Sequence, residues 1–316
     1  MKIVLTDADT VTAGDISFSG FTAYGTVIRY DVTAPKQAAE RVRDADAVLC
    51  NKTLITADVM SKAEKLKYIG ILATGCNNVD LDFAKERGIV VTNVPGYSTD
   101  GVVQLVFSYI FELCGNLSRY SDSVRAGDWK KSPTFSYFPY PITCIAGKTI
   151  GVVGYGAIGS RVAKAADALG MRVIVNSRTQ KPECPFPFVD MDTLLAESDI
   201  ITLHCPLTPQ SENLINEQTI AKMKNGAILI NTSRGPVVDE NALRNALDSR
   251  KLAGAGLDVL RTEPMAEDCP LFGAPNCIIT PHIAWAAFET RKRLLDIAEK
   301  NLAAFINGAP VNVVNG

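Results

Sequence analysis

Histidine is the side chain that exchanges a proton most readily near neutral pH, and this chain has two, His204 and His282. His282 follows the apolar run Ile278-Ile279-Thr280-Pro281. Arg234 follows Ala227-Ile228-Leu229-Ile230-Asn231, and Glu263 follows Gly256-Leu257-Asp258-Val259. Each run reads as a strand, and open α/β sheets bind ligands beyond the carboxyl ends of their strands. Three strands would thus deliver an imidazole, a guanidinium and a carboxylate to one rim. Taken singly, Arg234 reads equally as a surface charge, Glu263 as a solvated loop acid and His282 as a strand-end polar residue. Together, at the ends of successive strands, they read as one functional set with an acid or base in it.

A second constellation lies upstream. The β-branched run Thr149-Ile150-Gly151-Val152-Val153 feeds into Gly154-Tyr155-Gly156-Ala157-Ile158-Gly159, which is followed by the helix-forming segment Ser160 to Ala166. Strand, G-x-G-x-x-G turn and helix start form the layout that binds a dinucleotide pyrophosphate. Gly154 permits the turn, Gly156 admits the phosphates, and Gly159 lets the helix pack close to the strand. The N–H groups at the helix start then face the anion.

The elements that must position these residues alternate in type. Lys2–Leu5, Val27–Tyr30, Ala47–Cys50, Tyr68–Leu72 and Ile89–Thr92 read as strands, with helices at Pro35–Ala45 and Leu81–Arg87. A long apolar helix is expected over Thr99–Leu117. The aromatic and proline-rich stretch from Trp129 to Pro141 then reads as an arm for a partner subunit, or else as a loop packed on its own domain.

From Thr149 the alternation resumes. Strands are expected at Ile150–Val153, Arg172–Asn176, Asp199–Leu203, Ala227–Asn231, Ala255–Val259 and Cys277–Thr280. Helices are expected at Ser160–Leu169, Met191–Glu197, Glu217–Lys224 and Glu240–Asp248, with Asn216 and Asp239 as caps. The final helix, Ala287–Ile306, has no strand after it and is expected to return to the first domain. The chain therefore reads as two doubly wound parallel-sheet α/β domains. Residues 1–98 plus 287–316 form one, and 99–286 form an inserted dinucleotide-binding domain.

Bulk properties narrow the function classes. A net charge of −2 in 316 residues gives no reason to expect nucleic acid or a membrane surface as partner. The eight cysteines are scattered without C-x-x-C or zinc spacing, so no metal site is expected, and free thiols suit a cytoplasmic protein. Met1-Lys2-Ile3-Val4-Leu5-Thr6-Asp7 turns acidic after one short apolar run and reads as a strand, not a signal peptide.

Arg234 in Asn231-Thr232-Ser233-Arg234-Gly235, Glu263 before Pro264, and His282 in Thr280-Pro281-His282-Ile283-Ala284 resemble the signature of the D-isomer-specific 2-hydroxyacid dehydrogenases. His204-Cys205-Pro206-Leu207-Thr208-Pro209 and Asn93-Val94-Pro95-Gly96 fit the same family, and the likeness covers nearly the whole chain. Within the family, Gly127-Asp128-Trp129 and His282-Ile283-Ala284-Trp285-Ala286 look most like the glycerate dehydrogenases, or hydroxypyruvate reductases. The resemblance implies a Rossmann cofactor domain inserted in a flavodoxin-like substrate domain, a homodimer, and hydride transfer between NAD(P)H and a small 2-oxo acid. Hydroxypyruvate or glyoxylate would give D-glycerate or glycolate.

It also implies roles by position. His282 would be the general acid, Glu263 its partner, and Arg234 the carboxylate ligand. Thr74, Gly75 and Cys76 would form the substrate loop, with Asn51, Lys52 and Trp285 lining the pocket; Trp285 reads equally as core. Gly154, Gly156, Ala157, Ile158 and Gly159 would meet the pyrophosphate, Cys205 and Pro206 the adenosine, and Thr232, Asp258 and Ala284 the nicotinamide side. His204 reads as a structural strand-end residue.

Two positions depart from the family pattern. Ser177 stands where an NAD-binding fold places an acid for the ribose 2′-OH. Asn176, Ser177, Arg178 and Thr179 would contact the ribose region, and Ser177, Arg178 and Thr179 could receive a 2′-phosphate. The reading therefore leans to NADPH, with NADH open. Gln104 replaces a glutamate of many members. The alternatives are a D-lactate dehydrogenase-type enzyme and a non-enzymatic, cofactor-sensing corepressor-like protein; an intact Arg234, Glu263 and His282 set argues against the latter.

Overall fold

The computed structural model describes residues 1–316 and divides into two compact units, Met1–Ser98 with Trp285–Gly316, and Thr99–Ala284. The second unit closes two residues before the boundary drawn from the helix pattern.

The first unit opens with β1 (Lys2–Leu5), β2 (Thr26–Arg29), α1 (Pro35–Val42), β3 (Ala47–Cys50), α2 (Ala57–Ser61), β4 (Tyr68–Ile71), α3 (Leu81–Glu86) and β5 (Val90–Thr92). Its strands pair in parallel in the order β2-β1-β3-β4-β5, the flavodoxin-like arrangement. β3 and β4 are buried at every residue, which explains why Ala-Val-Leu-Cys and Tyr-Ile-Gly-Ile are apolar without alternation.

The second unit begins with a helical pair, α4 (Thr99–Gly115) and α5 (Leu117–Arg125). The sequence suggested one helix to Leu117. The break falls at Asn116, whose φ of 51° is left-handed, and α5 escaped notice because its sequence, Leu-Ser-Arg-Tyr-Ser-Asp-Ser-Val-Arg, is mostly polar. No single helix is long and apolar enough to cross a membrane. α4 and α5 pass that test of length and composition only as a pair bent by 56°, and α4 buries Val102, Val106, Phe107, Tyr109 and Ile110 in the core of its own unit.

β6 (Thr149–Val153), α6 (Ala157–Ala168), β7 (Arg172–Asn176), α7 (Met191–Glu197), β8 (Ile200–Leu203), α8 (Glu217–Lys222), β9 (Ala227–Asn231), α9 (Glu240–Asp248), β10 (Leu252–Leu257) and β11 (Cys277–Ile279) follow. The strands pair in parallel as β11-β10-β9-β8-β6-β7. Beyond β7 the next position is a single parallel bridge, Val175 to Phe188. Strand order thus reverses between β6 and β8, the place where such sheets bind nucleotides. Glycine lets α4 approach this sheet. A side chain at Gly256 would collide with the Tyr109 ring, and one at Gly254 with Leu113.

The aromatic stretch after α5 makes hydrogen bonds within its own unit, in line with the second of its two readings. Tyr120 donates its hydroxyl to the Tyr140 carbonyl at 2.6 Å, and the indole of Trp129 donates to the Phe135 carbonyl at 2.8 Å. Those bonds fold the stretch back on its own unit, yet Phe135 and Phe138 remain 90% and 80% exposed.

The chain ends in the first unit with α10 (Phe288–Ile306), which buries Leu294, Leu295, Ala298 and Leu302 and brings Phe305 to 4.9 Å from the Tyr68 ring. The tail then pairs antiparallel with β5 at Val313 and Thr92.

Candidate active site

Register decides where the side chains of the second unit fall. Val153 pairs with Asn176 and with Leu203, Leu203 with Asn231, Asn231 with Leu257, and Leu257 with Ile279. The next residue of each strand therefore belongs to one row at the carboxyl edge: Gly154, Ser177, His204, Thr232, Asp258 and Thr280. Residues scattered over more than a hundred positions become neighbours because six parallel strands stop level.

The dinucleotide turn is built as its glycines require. Gly154 has φ of 94°, and a side chain there would collide with the backbone of His204 and Cys205. A side chain at Gly159 would meet the Gly154 carbonyl, so α6 lies hard against the turn. Gly156, by contrast, has open space where a side chain would stand. Nothing in the chain itself demands glycine there, whereas a pyrophosphate approaching the backbone does. Gly156 and Ala157 are exposed and Ile158 is partly so, at the start of a helix whose first N–H groups have no intrahelical acceptor.

At the end of β7, Asn176 spends its side-chain amide on the Val189 carbonyl, 2.9 Å away. Its part is thus to hold the following loop, while Ser177 is partly exposed and Arg178 and Thr179 are exposed. His204 has Thr202 Oγ1 at 2.9 Å from Nε2, and burial of the ring pulls its pKa down to about 3, so it stays neutral. Burial likewise raises the Cys205 thiol; Pro206 is exposed.

Arg234 is fixed by a residue that the sequence reading passed over. The buried Asn231 accepts the Ser233 N–H at 3.0 Å and donates to the Arg234 carbonyl at 2.9 Å, closing the loop after β9. A side chain at Gly235 would strike the backbone of Leu260 and Arg261, so this loop presses against the one after β10. There the Leu260 N–H donates to Glu263 Oε1 at 3.1 Å, and Glu263 Oε2 lies 2.7 Å from His282 Nδ1. The structure thus links the loops of Arg234, Glu263 and His282 through one chain of contacts. With Nδ1 engaged, Nε2 is the ring nitrogen left for a substrate.

His282 has φ of 54°, an uncommon conformation for a residue with a side chain. Asp258 sustains it. This buried carboxylate accepts the Thr280 hydroxyl at 2.5 Å, the Ile283 N–H at 2.7 Å and the Ala284 N–H at 2.8 Å. Tyr109 of α4 hydrogen-bonds Thr280 in turn. Burial, the largest cause, raises the Asp258 pKa against these donors. Expected at the nicotinamide side, Asp258 is also the clamp that holds the residues after His282. Ala284 is buried among core residues of its unit. Thr232 is buried with a hydroxyl that has no hydrogen-bond partner. That orphaned group, the open Gly156 and the helix start beside it suit a polar, phosphate-bearing dinucleotide.

The first unit carries the remaining candidates. Thr74 donates its hydroxyl to the Val94 carbonyl at 2.8 Å, and Gly75 and Cys76 are half-buried beside it. Asn78 donates to the Thr53 carbonyl at 3.1 Å, tying this loop to the one after β3. Asn51 is turned inward, its amide donating to Thr10 Oγ1 at 3.0 Å, while Lys52 is exposed. Trp285 packs partly buried against the core cluster of this unit, as its alternative reading had it. No group of acidic, cysteine or histidine side chains could hold a metal ion.

Residues 107–284 match the family described as D-isomer specific 2-hydroxyacid dehydrogenase, NAD binding domain. The chain is 45% identical to a hydroxypyruvate reductase of Blautia hydrogenotrophica, covering 100% of both chains. It is 42% identical to a glycerate dehydrogenase of Methylorubrum extorquens, covering 99% of this chain and 98% of that one. Among solved structures, an acyclic imino acid reductase in complex with NADPH and D-Arg superposes with a TM-score of 0.88 at 30% identity, covering 99% and 100% of the two chains.

Proposed function

The chain belongs to the D-isomer-specific 2-hydroxyacid dehydrogenases, and from that premise we propose that it reduces hydroxypyruvate or glyoxylate to D-glycerate or glycolate. The class of chemistry is that of an NAD(P)-dependent oxidoreductase acting on small 2-oxo and 2-hydroxy acids. The observation that carries the finer reading is the Glu263–His282 pair at 2.7 Å on loops pressed against that of Arg234, in a chain 45% identical over its full length to a hydroxypyruvate reductase.

The nicotinamide supplies the hydride. The chain's residues supply the rest. Arg234 binds the substrate carboxylate through its planar fork and draws electron density from the carbonyl. His282, protonated on Nε2, donates its proton to the carbonyl oxygen as negative charge develops there. Glu263 orients the ring through Nδ1 and so decides which nitrogen meets the substrate. In the first unit, the backbone N–H groups of Thr74, Gly75 and Cys76, with Lys52, serve as substrate ligands.

The proposed cofactor is NADPH rather than NADH. Ser177 leaves no carboxylate to repel a 2′-phosphate, and Arg178 and Thr179 are exposed next to it. A homodimer is proposed on the exposed apolar side chains between Phe111 and Ile142, among them Leu117 at 73% and Phe135 at 90%. Sedimentation should give twice the chain mass; a monomer would refute the dimer.

The activity is tested by following absorbance of NADH and NADPH separately with hydroxypyruvate, glyoxylate and pyruvate. Fastest turnover of NADPH with hydroxypyruvate or glyoxylate is expected. Preference for pyruvate would favour a D-lactate dehydrogenase. Silence in all six mixtures would favour a cofactor-sensing binding protein.

A further inference from the structure

A carboxylate outside the proposed catalytic set governs the backbone of the loop after β3. Asp7, just beyond β1, is only 2% exposed. Its Oδ1 accepts from the Asn51 N–H at 2.9 Å and from the Thr6 hydroxyl at 3.2 Å. Its Oδ2 accepts from the Lys52 N–H at 2.5 Å and the Thr53 N–H at 2.7 Å. Three consecutive peptide N–H groups thus converge on one side chain, as they would on a bound anion. A carboxylate offers acceptor sites only, so all three donors can be met at once; the amide of an asparagine would turn a donor toward them.

Two of the three residues are held again from other sides. The Asn51 amide donates to Thr10 Oγ1 at 3.0 Å, and the Asn78 amide donates to the Thr53 carbonyl at 3.1 Å. Asn51 and Thr53 are buried, and Lys52 between them is exposed. A loop fixed this heavily displays one cation at the carboxyl edge of its sheet. Burying a charge is costly, and a loop serving only as a connection would not need it.

We propose that Asp7 is a positioning residue, whose buried carboxylate sets the backbone of Asn51–Thr53 so that Lys52 presents its cation to the anionic end of the 2-oxo acid. The inference rests on the proposed role of Lys52 as a substrate ligand. Asp7 touches no reacting atom and acts through that loop.

The test compares steady-state kinetics of Asp7→Asn, Lys52→Met and the double variant with hydroxypyruvate and NADPH. Asp7→Asn is expected to raise the KM for hydroxypyruvate about tenfold, with kcat within a few-fold and the KM for NADPH unchanged. Lys52→Met should do the same, and the double variant should be no worse than Lys52→Met alone. A merely structural role would lower kcat with the active fraction and leave KM in place; that result overturns the proposal. So does a normal KM in Asp7→Asn when Lys52→Met raises it. A normal KM in Lys52→Met fails the substrate-ligand reading itself and takes the inference with it. Should Asp7→Asn not fold, Asn51→Ala loosens the same loop from Thr10, and an unchanged KM there counts against the proposal.

Discussion

Glu263 grips His282 with one carboxylate oxygen, 2.7 Å from Nδ1, while its other oxygen accepts the Leu260 N–H at 3.1 Å. The carboxylate is thereby anchored to the backbone of its own loop, and the imidazole cannot turn without breaking that chain. Such a pair fixes which ring nitrogen faces the substrate.

Glu263→Gln can keep the bond to Nδ1, but it turns its amide donor toward the Leu260 N–H and removes the charge. The proton donor is then no longer held by an oppositely charged partner, so kcat/KM with hydroxypyruvate should fall by roughly tenfold or more at neutral pH. A kcat/KM within about threefold of the parent's would count against the pairing.

Arg234→Lys retains the positive charge and loses the fork. If Arg234 binds a carboxylate in two-pronged fashion, KM for the 2-oxo acid should rise and kcat/KM should fall by roughly a hundredfold. Cofactor binding, followed by quenching of protein fluorescence, should hardly change. A variant with near-normal kcat/KM would show that charge alone suffices.

Much of this was legible in the chain. Arg172–Asn176 and Ala227–Asn231 are β-branched or apolar runs that end on asparagine, and both strands have those limits in the structure. Asp239 caps Glu240–Asp248 by accepting from the Asn241 and Ala242 N–H groups, as its type and place suggested. The supporting residues were hidden for a physical reason. Asp258 meets Ile283 and Ala284, and Asp7 meets Asn51, only once strands distant in sequence are in register. A lone aspartate after a strand carries no sign of which backbone it will hold. Asn231 was visible in its motif, but only the folded loop shows its amide closing on Ser233 and Arg234.

Ser177→Asp places an acid at the end of β7. A carboxylate there repels a 2′-phosphate and can accept from a 2′-hydroxyl, so the ratio of kcat/KM for NADH to that for NADPH should rise at least about tenfold. A ratio that stays put would remove Ser177 from the cofactor argument.

His204 makes a separate contribution to acid stability. Its pKa is pulled down to about 3 by burial, against 6.5 in the unfolded chain. The unfolded state therefore takes up a proton that the folded state refuses. The associated stability is fully present above 6.5 and is lost as pH falls below it. The loss should be about 1 kcal/mol between the unfolded value and one pH unit lower. Urea unfolding of parent and His204→Asn at the two pH values measures it, and equal pH dependence in both would contradict the assignment.

In the proposed reaction His282 hands a proton to the carbonyl oxygen as hydride arrives. Single-turnover oxidation of NADPH by His282→Gln, with hydroxypyruvate saturating, tests it most directly. The step should slow by about 10²–10⁴ while the dissociation constant for NADPH stays within a few-fold of the parent's. A rate within about threefold of the parent's would rule out His282 as the proton donor, since catalysis would then proceed without the imidazole.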